Sequence, residues 1–123
     1  MQKFENLESC PRLDTINCSN NYIHTIENIG SDVLPELNSL YLTHNKLRTA
    51  EDVANLVQCK SLSVLDLAHN HIEDIAIINV LAQMPALRVL VLTGNPVINQ
   101  ISSYRKTLIN ECVLILTHFL NFV

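Results

Sequence analysis

The stretch LSVLDLAHNHIED, residues 62–74, combines two spacings that no single secondary-structure element explains. Leu65 and Leu67 alternate as in a short strand with one buried face, because successive side chains of a strand point to opposite sides. Leu62 lies three residues before Leu65, and Asn70 lies three residues after Leu67. The leucines therefore predict a short β-strand, and the asparagine marks a turn that leaves it.

The same arrangement occurs in three further places along the chain. The four copies begin at residues 13, 37, 62 and 87, and they carry Asn21, Asn45, Asn70 and Asn95. Successive asparagines are 24, 25 and 25 residues apart. The shared pattern L-x-x-L-x-L-x-x-N-x-L, at this period, is that of a leucine-rich repeat. We therefore predict an α/β fold: a right-handed solenoid with a short parallel β-sheet on its concave face and helices and turns on its convex face.

The four asparagines predict a ladder of side-chain hydrogen bonds. A buried turn leaves backbone donors and acceptors that need partners, and an amide side chain supplies both kinds of group. We expect each asparagine to bond the turns of its own and the neighbouring repeat. The alternative, four ordinary loop asparagines, is disfavoured by their fixed register.

The repeats divide the chain into two regions. Residues 1–97 are predicted to be leucine-rich repeats, with a partial repeat at 1–12 ahead of the four full copies. Residues 98–123 are predicted to be a C-terminal cap helix, at 101–112, followed by an apolar tail. The cap would cover the apolar face of the fourth repeat, as the end of a solenoid requires.

The segments that return along the convex side are predicted to differ. Residues 49–59 read as a helix capped by Thr49, and residues 74–84 read as a second helix. The first return, residues 27–37, contains Gly30 and is expected to be a loop or a short 3₁₀ turn.

Composition excludes several classes of protein. Apolar residues make up 48% of the 123 residues, the net charge is −4, and the basic residues are scattered, which disfavours direct nucleic-acid binding. No charged-then-apolar segment opens the chain. The longest apolar run, CVLILTHFL at 112–120, is shorter than the roughly 20 residues that span a membrane. We expect a soluble, intracellular protein without a membrane partner.

The cysteines are predicted to be core residues. Cys18 occupies a leucine position of the first repeat, and one column three residues before each repeat holds Cys10, Leu34, Cys59 and Met84. Cysteine in such a column behaves as a small hydrophobic residue. The paired C-x-x-C spacing of a zinc site is missing from the sequence.

The residues between the core leucines are predicted to form a concave, partner-binding face. These residues are Asn17, Ser39, Tyr41, His44, Val64, Asp66, His69, Val89 and Val91. The face is polar in the first two repeats and apolar in the last two, and exposed apolar patches mark contact sites. Our hypothesis is that a partner, or a downstream segment of a longer chain, lies over Tyr41, Val64 and Val89. The alternative is that β-branched residues merely suit a parallel strand.

The concave face carries one arrangement that resembles a metal site. His44 and His69 are neighbours in one row with Asp66 nearby, and such groups bind transition metals. The sequence shows no residues that would orient these ligands by hydrogen bonding to them. We therefore interpret both histidines as variable strand-end residues. With no Ser-His-Asp order and no glycine-rich phosphate loop, the sequence predicts no cofactor, no metal and no enzymatic activity.

The repeats resemble two related groups of proteins. IENI at 26–29 and FENL at 4–7 resemble the leucine-rich-repeat subclass of the protein phosphatase 1 regulatory subunit. MPALRVLVLTGNPVINQISSYRKTLI at 84–109, with NNYIHTIENI at 20–29 and the stretch at 62–74, resembles the leucine-rich-repeat family of axonemal dynein assembly factors.

The second resemblance implies a scaffold for the cytoplasmic pre-assembly of dynein arms in motile cilia. Its implied partners are dynein chains, chaperones and co-assembly factors. It assigns Asn95, Pro96, Tyr104 and Arg105 to a structural cap motif. This chain departs from the family at its end, where Leu120 stands in place of an acidic residue.

Two other binding roles remain open at this point. One is regulation of protein phosphatase 1. The other is a spliceosomal ribonucleoprotein component, whose concave face would hold a helix of a small RNA-binding protein.

Overall fold

Four short strands form the sheet of this protein. The computed structural model describes residue 10 and residues 12–27 and 29–100. In chain order the strands are β1 (Thr15–Asn17), β2 (Ser39–Tyr41), β3 (Val64–Asp66) and β4 (Val89–Val91). They lie side by side in that same order, and every pair is parallel.

The register places equivalent residues of the repeats opposite one another. Ile16, Leu40, Leu65 and Leu90 are partners across the sheet. The three leucines have no exposed surface, and Ile16, on the edge strand, is 9% exposed. Each residue therefore contacts its equivalent one coil away, which confirms the predicted leucine-rich-repeat solenoid.

The first convex helix starts where predicted but changes from an α-helix to a 3₁₀ helix after one turn. Helix α1 (Ala50–Val53) passes directly into a 3₁₀ helix at Ala54–Gln58. Thr49 Oγ1 accepts a hydrogen bond from Asp52 N at 3.3 Å, and Asp52 Oδ2 accepts one from Thr49 N at 3.1 Å. This reciprocal pair is a capping box. The return through residues 29–37 contains turns and neither helix nor strand, as predicted.

The second convex helix, α2 (Ile77–Ala82), starts later than the predicted span of residues 74–84. Asp74 Oδ1 accepts a hydrogen bond from Ala76 N at 3.0 Å, so the chain turns before the helix begins. Asp74 Oδ2 accepts a second bond, also 3.0 Å, from Ala50 N at the start of α1. An aspartate that binds nearby N–H groups competes with helical hydrogen bonding, which explains the late start.

One hydrophobic core runs through the described repeats, and one predicted core residue lies outside it. Leu34, Cys59 and Met84 are only 1–2% exposed, and Cys18 is 7% exposed. Cys10, predicted to be buried in the same column, is exposed, and that prediction was wrong. Cys10 belongs to the repeat of the edge strand β1, so the described part of the chain covers it from one side alone.

The predicted terminal segments lie mostly outside the described residues. This holds for the partial repeat at 1–12, apart from residues 10 and 12, and for the cap helix at 101–112 with the tail that follows. A short helix, α3 (Val97–Gln100), begins directly after Pro96. Proline fixes its own φ near a helical value and needs no N–H partner there, so it tolerates a helix start.

Candidate functional site

The concave face consists of the outward-facing residues of the four strands. The sheet register aligns Thr15, Ser39, Val64 and Val89 in one row. It aligns Asn17, Tyr41, Asp66 and Val91 in a second row. Because parallel strands lie about 4.8 Å apart, each row is a continuous line of side chains across the repeats.

The exposure of these rows changes along the sheet. Thr15 and Asn17 in β1 are exposed. Tyr41, Val64, Val89 and Val91 are half-buried and leave apolar surface on the face; we call these four residues the apolar strip. The structure therefore brings together the three residues over which we predicted a partner to lie.

Ser39 does not belong to the accessible part of the face. It is 8% exposed, and its Oγ accepts a hydrogen bond from Asn38 Nδ2 at 3.0 Å. Ser39, predicted as a contact residue, therefore offers little accessible surface in this structure, although Thr15 and Val64 flank it in the row.

Asp66 is a carboxylate within the apolar strip. Its register partners are Tyr41 on one side and Val91 on the other, and its side chain is half-buried. Its Oδ1 accepts a hydrogen bond from Ala68 N at 3.0 Å. This local bond turns the chain out of β3.

The two predicted rim histidines stack on each other. The ring centroids of His44 and His69 are 4.7 Å apart, and the ring planes differ by 17°. Both rings are exposed, so they line the rim of the face where the strands end. Within the residues that the structure describes, no group of three or more His, Cys, Asp or Glu side chains could hold a metal ion.

The backbone at this rim has a feature that the sequence analysis missed. Asn20, His44, His69 and Gly94, each directly before a ladder asparagine, have φ values of 61°, 58°, 55° and 81°. Asparagine and histidine are enriched in this left-handed region and glycine adopts it freely. The column of Asn, His, His and Gly in the sequence was a usable indication, because each of these residue types tolerates positive φ.

The side chains of the ladder asparagines form hydrogen bonds with the backbone of the turns. Asn70 Nδ2 donates to Leu67 O at 3.0 Å in its own repeat and to Leu42 O at 2.9 Å in the preceding one. Asn70 Oδ1 accepts from Leu47 N at 3.2 Å. The amide thus joins two adjacent coils with donor and acceptor atoms together.

Asn45 and Asn95 repeat this arrangement. Asn45 Nδ2 donates to Leu42 O and Cys18 O, and Asn95 Nδ2 donates to Leu92 O and Leu67 O, all at 2.8–3.0 Å. These two asparagines are 2% and 4% exposed.

Asn21 and Pro96 are more exposed than the buried ladder residues. Asn21 is half-buried in the edge repeat and donates to Cys18 O at 2.9 Å and to Ser19 O at 3.1 Å. Pro96, of the predicted cap motif, is exposed. Its two companions in that motif, Tyr104 and Arg105, lie outside the described residues.

The buried cysteines behave as core residues. Burial raises the pKa of the Cys59 thiol to about 11 and also raises the pKa of the Cys18 thiol. Cys59 Sγ donates to Ile29 O at 3.3 Å. A thiol with a raised pKa holds its proton and is a poor nucleophile, so neither residue suggests a reactive site.

Comparison with known families identifies the repeats. The family described as "Leucine-rich repeat" matches residues 1–73, and the one described as "Leucine Rich repeats (2 copies)" matches residues 60–106. The chain belongs to the leucine-rich-repeat family. A solved structure of the Drosophila melanogaster SNF/U2A′ complex contains a similar chain, with a TM-score of 0.64 and 31% identity, covering 72% of this chain and 52% of that chain.

Curated relatives are similar over a large part of this chain. The Dynein axonemal assembly factor 1 homolog of Drosophila pseudoobscura pseudoobscura is 56% identical over 84 residues, which is 68% of this chain and 5% of that protein. The homolog of Aedes aegypti is 60% identical over 83 residues, or 68% of this chain and 8% of that protein. The chain therefore spans less than a tenth of either relative.

In the described part of the chain, no helix is both long and apolar enough to cross a membrane.

Proposed function

We propose that this chain is a non-catalytic scaffold that acts in the cytoplasmic pre-assembly of axonemal dynein arms. The observation that carries the proposal is the identity of 56–60% to Dynein axonemal assembly factor 1 homologs over two thirds of the chain. That level of identity extends well beyond the spacing of leucines and asparagines that every leucine-rich repeat shares.

The geometry of the concave face supports a binding role. The apolar strip of Tyr41, Val64, Val89 and Val91 is half-buried, so it leaves apolar surface accessible to a partner. Interfaces owe most of their energy to a few well-packed apolar or aromatic groups. We propose that a dynein chain or a co-assembly factor covers this strip.

A pull-down tests the proposal directly. The tagged 123-residue chain is incubated with cytoplasmic extract of cells that are building motile cilia, and dynein heavy and intermediate chains are detected with antibodies. We expect capture by the wild type and at least a tenfold loss for the double variant Val64→Lys, Val89→Lys, because two charges enter the apolar contact. The matched control is Ala54→Lys, an exposed position of the convex 3₁₀ helix.

A milder double variant guards against misfolding. Val64→Thr with Val89→Thr keeps the β-branched shape and removes apolar surface, and urea unfolding shows whether each variant retains its fold. Failure of the wild type to capture any dynein chain contradicts the assembly role. Equal capture by the folded strip variants and by the control contradicts the placement on the concave face.

The similarity to a chain of the SNF/U2A′ complex favours a second candidate, a component of a ribonucleoprotein. Under that role the chain would be nuclear and would capture a small RNA-binding protein in place of dynein chains. Probing the same pull-down for SNF, and for the protein phosphatase 1 catalytic subunit of the remaining alternative, distinguishes the three roles.

A further inference from the structure

Asp66 is a charged side chain in the middle of a surface that is otherwise apolar. Tyr41 and Val91 flank it across the sheet, and Val64 lies two residues before it on the same face of β3. The carboxylate is half-buried before any partner is bound. A partner that covers the apolar strip must therefore cover this charge as well.

The local structure does not require the charge of Asp66. In the first repeat the same position holds Asn17, whose Oδ1 accepts a hydrogen bond from Ser19 N at 3.1 Å. The bond from Ala68 N to Asp66 Oδ1, at 3.0 Å, is the same turn. A neutral amide therefore accepts the same backbone hydrogen bond at this position, so the turn does not depend on the negative charge.

No basic side chain of the described residues forms an ion pair with Asp66. The ion pair found among them joins Arg48 to Glu73, with Nη2 to Oε1 at 2.7 Å. The backbone carbonyl of Asp66 accepts a hydrogen bond from Leu42 N at 2.8 Å, and this bond does not involve the carboxylate. The second carboxylate oxygen of the Asp66 side chain faces the concave surface without a partner in the described structure.

Covering an unpaired carboxylate with apolar groups is unfavourable, whereas covering it with a paired cation is tolerated. We propose that the protein segment which binds the concave face presents a Lys or Arg to Asp66. Aliphatic side chains on both sides of this cation cover Val64, Val89 and Val91. The inference rests on the proposed function in one respect, namely that the concave face is the binding face.

The same carboxylate argues against two other occupants. A nucleic-acid backbone would place phosphates beside Asp66 and would be repelled, since such surfaces need clustered positive charge. A purely apolar helix would fill the strip but leave the carboxylate buried and unpaired.

A peptide selection tests this inference even while the natural partner is unidentified. A phage-displayed library of random peptides is selected against the 123-residue chain, and affinities of the selected peptides are measured. Peptides that bind the strip are recognised by loss of binding to Val89→Lys. We expect these peptides to carry a Lys or Arg between aliphatic residues.

The decisive variant is Asp66→Asn, which keeps the oxygen that accepts from Ala68 N and removes only the charge. We expect it to weaken the selected peptides about tenfold, with a difference that shrinks as salt is raised. Glu36→Gln, which removes an exposed charge in the turn before β2, is the control and leaves binding unchanged.

Three outcomes overturn the inference: strip-binding peptides without a basic residue, equal affinity for the wild type and Asp66→Asn, or no peptide bound on the strip. The selection uses no dynein component, so it is independent of the pull-down. If the wild type captures no dynein chain but the selected peptides carry a basic residue, the assembly role alone is refuted. If the wild type captures dynein chains but the selected peptides lack a basic residue, the role of Asp66 alone is refuted.

Discussion

At the scale of single residues, the ladder asparagine is the group that joins neighbouring coils. The Asn70 side chain bonds three carbonyl oxygens and one N–H group at 2.9–3.2 Å, and it is 4% exposed. Aspartate has no N–H to donate and alanine has neither group. The amide is therefore required by the number and kind of backbone atoms around it.

Asn70→Ala should lower the free energy of unfolding by about 2–4 kcal/mol, because buried backbone groups lose their partners. Urea denaturation followed by circular dichroism measures the change. Asn79→Ala, at an exposed position of α2, is the control and should stay within about 0.5 kcal/mol of the wild type. Equal stability of the two variants would show that water replaces the ladder bonds.

Gly94 should be far less tolerant of a side chain than Gly30. At Gly94 φ is +81°, and an added Cβ would lie 2.2 Å from His69 Nδ1. At Gly30 φ is not in the left-handed region, and the two nearest atoms are the flexible ends of Asp32 and Gln58, at 2.8 and 3.0 Å, followed by Gln58 Cβ at 3.1 Å. Gly94→Ala should therefore lower the free energy of unfolding by about 1–3 kcal/mol, and Gly30→Ala should lower it by less.

A substitution at His69 separates the steric contact from the backbone strain at Gly94. His69→Ala removes the steric contact but leaves the backbone conformation, so it should recover part of the loss in the Gly94→Ala protein. Full recovery in thermal unfolding would mean that the positive φ carries no strain.

Cys59 should make stability fall at alkaline pH. Burial raises the pKa of its thiol from 9.0 to about 11, so the folded state holds the proton more tightly than the unfolded chain does. This contribution is complete below pH 9 and is lost as the pH rises to about 11, with a total of about 2–3 kcal/mol. Unfolding free energies of the wild type and Cys59→Ala, measured across this range, should differ in slope.

The control for the pH experiment is a substitution that removes no ionisable group. Ala54→Ser, at an exposed position, should keep the wild-type dependence on pH. A Cys59→Ala protein whose stability falls as steeply as that of the wild type would assign the dependence to other groups.

At the scale of elements, none of these segments is long enough to be stable alone. The strands have three residues each and α1 has four. Isolated helices shorter than about 12 residues are marginal in water. Caps and contacts between repeats therefore decide where each element begins and ends.

Thr49→Ala should lower the free energy of unfolding by about 1 kcal/mol, because it removes the side-chain cap of α1. The companion variant Asp52→Ala breaks the other half of the capping box, so the double variant should lose less than the sum of the two. Thr93→Ala, an exposed threonine next to the rim, is the control. Additive losses in urea unfolding would argue that the two bonds act independently.

At the scale of the whole molecule, stability depends on the stacking of coils. Leu65 lies between Leu40 and Leu90 and has no exposed surface. Leu65→Ala should lower the free energy of unfolding by about 2–5 kcal/mol, through lost contacts in two interfaces and a residual cavity. Ile75→Ala, at a position 44% exposed, should change it by far less. Thermal unfolding of both variants, followed by circular dichroism, makes the comparison.

The sequence alone predicted the repeat architecture well and the surface less well. Periodic leucines report the buried face directly, so the pattern of leucines already indicated that Ile16, Leu40, Leu65 and Leu90 are partners. Whether a side chain between two leucines is accessible depends on its neighbours in the adjacent coils. Ser39, for example, is 8% exposed although the sequence pattern placed it on the concave face.

What the sequence by itself determined is the period, the register and the buried columns of this protein, because stacked identical units need the same side chain at the same place. Only the tertiary structure decided which side chains outside the buried columns are accessible and which partners they bind. Cys10 is exposed on the edge repeat, Asp74 joins the turn before α2 to Ala50 of α1, and Asp66 has no cation beside it among the described residues. These outcomes depend on which atoms of neighbouring coils meet, and a local sequence pattern contains no information about such contacts.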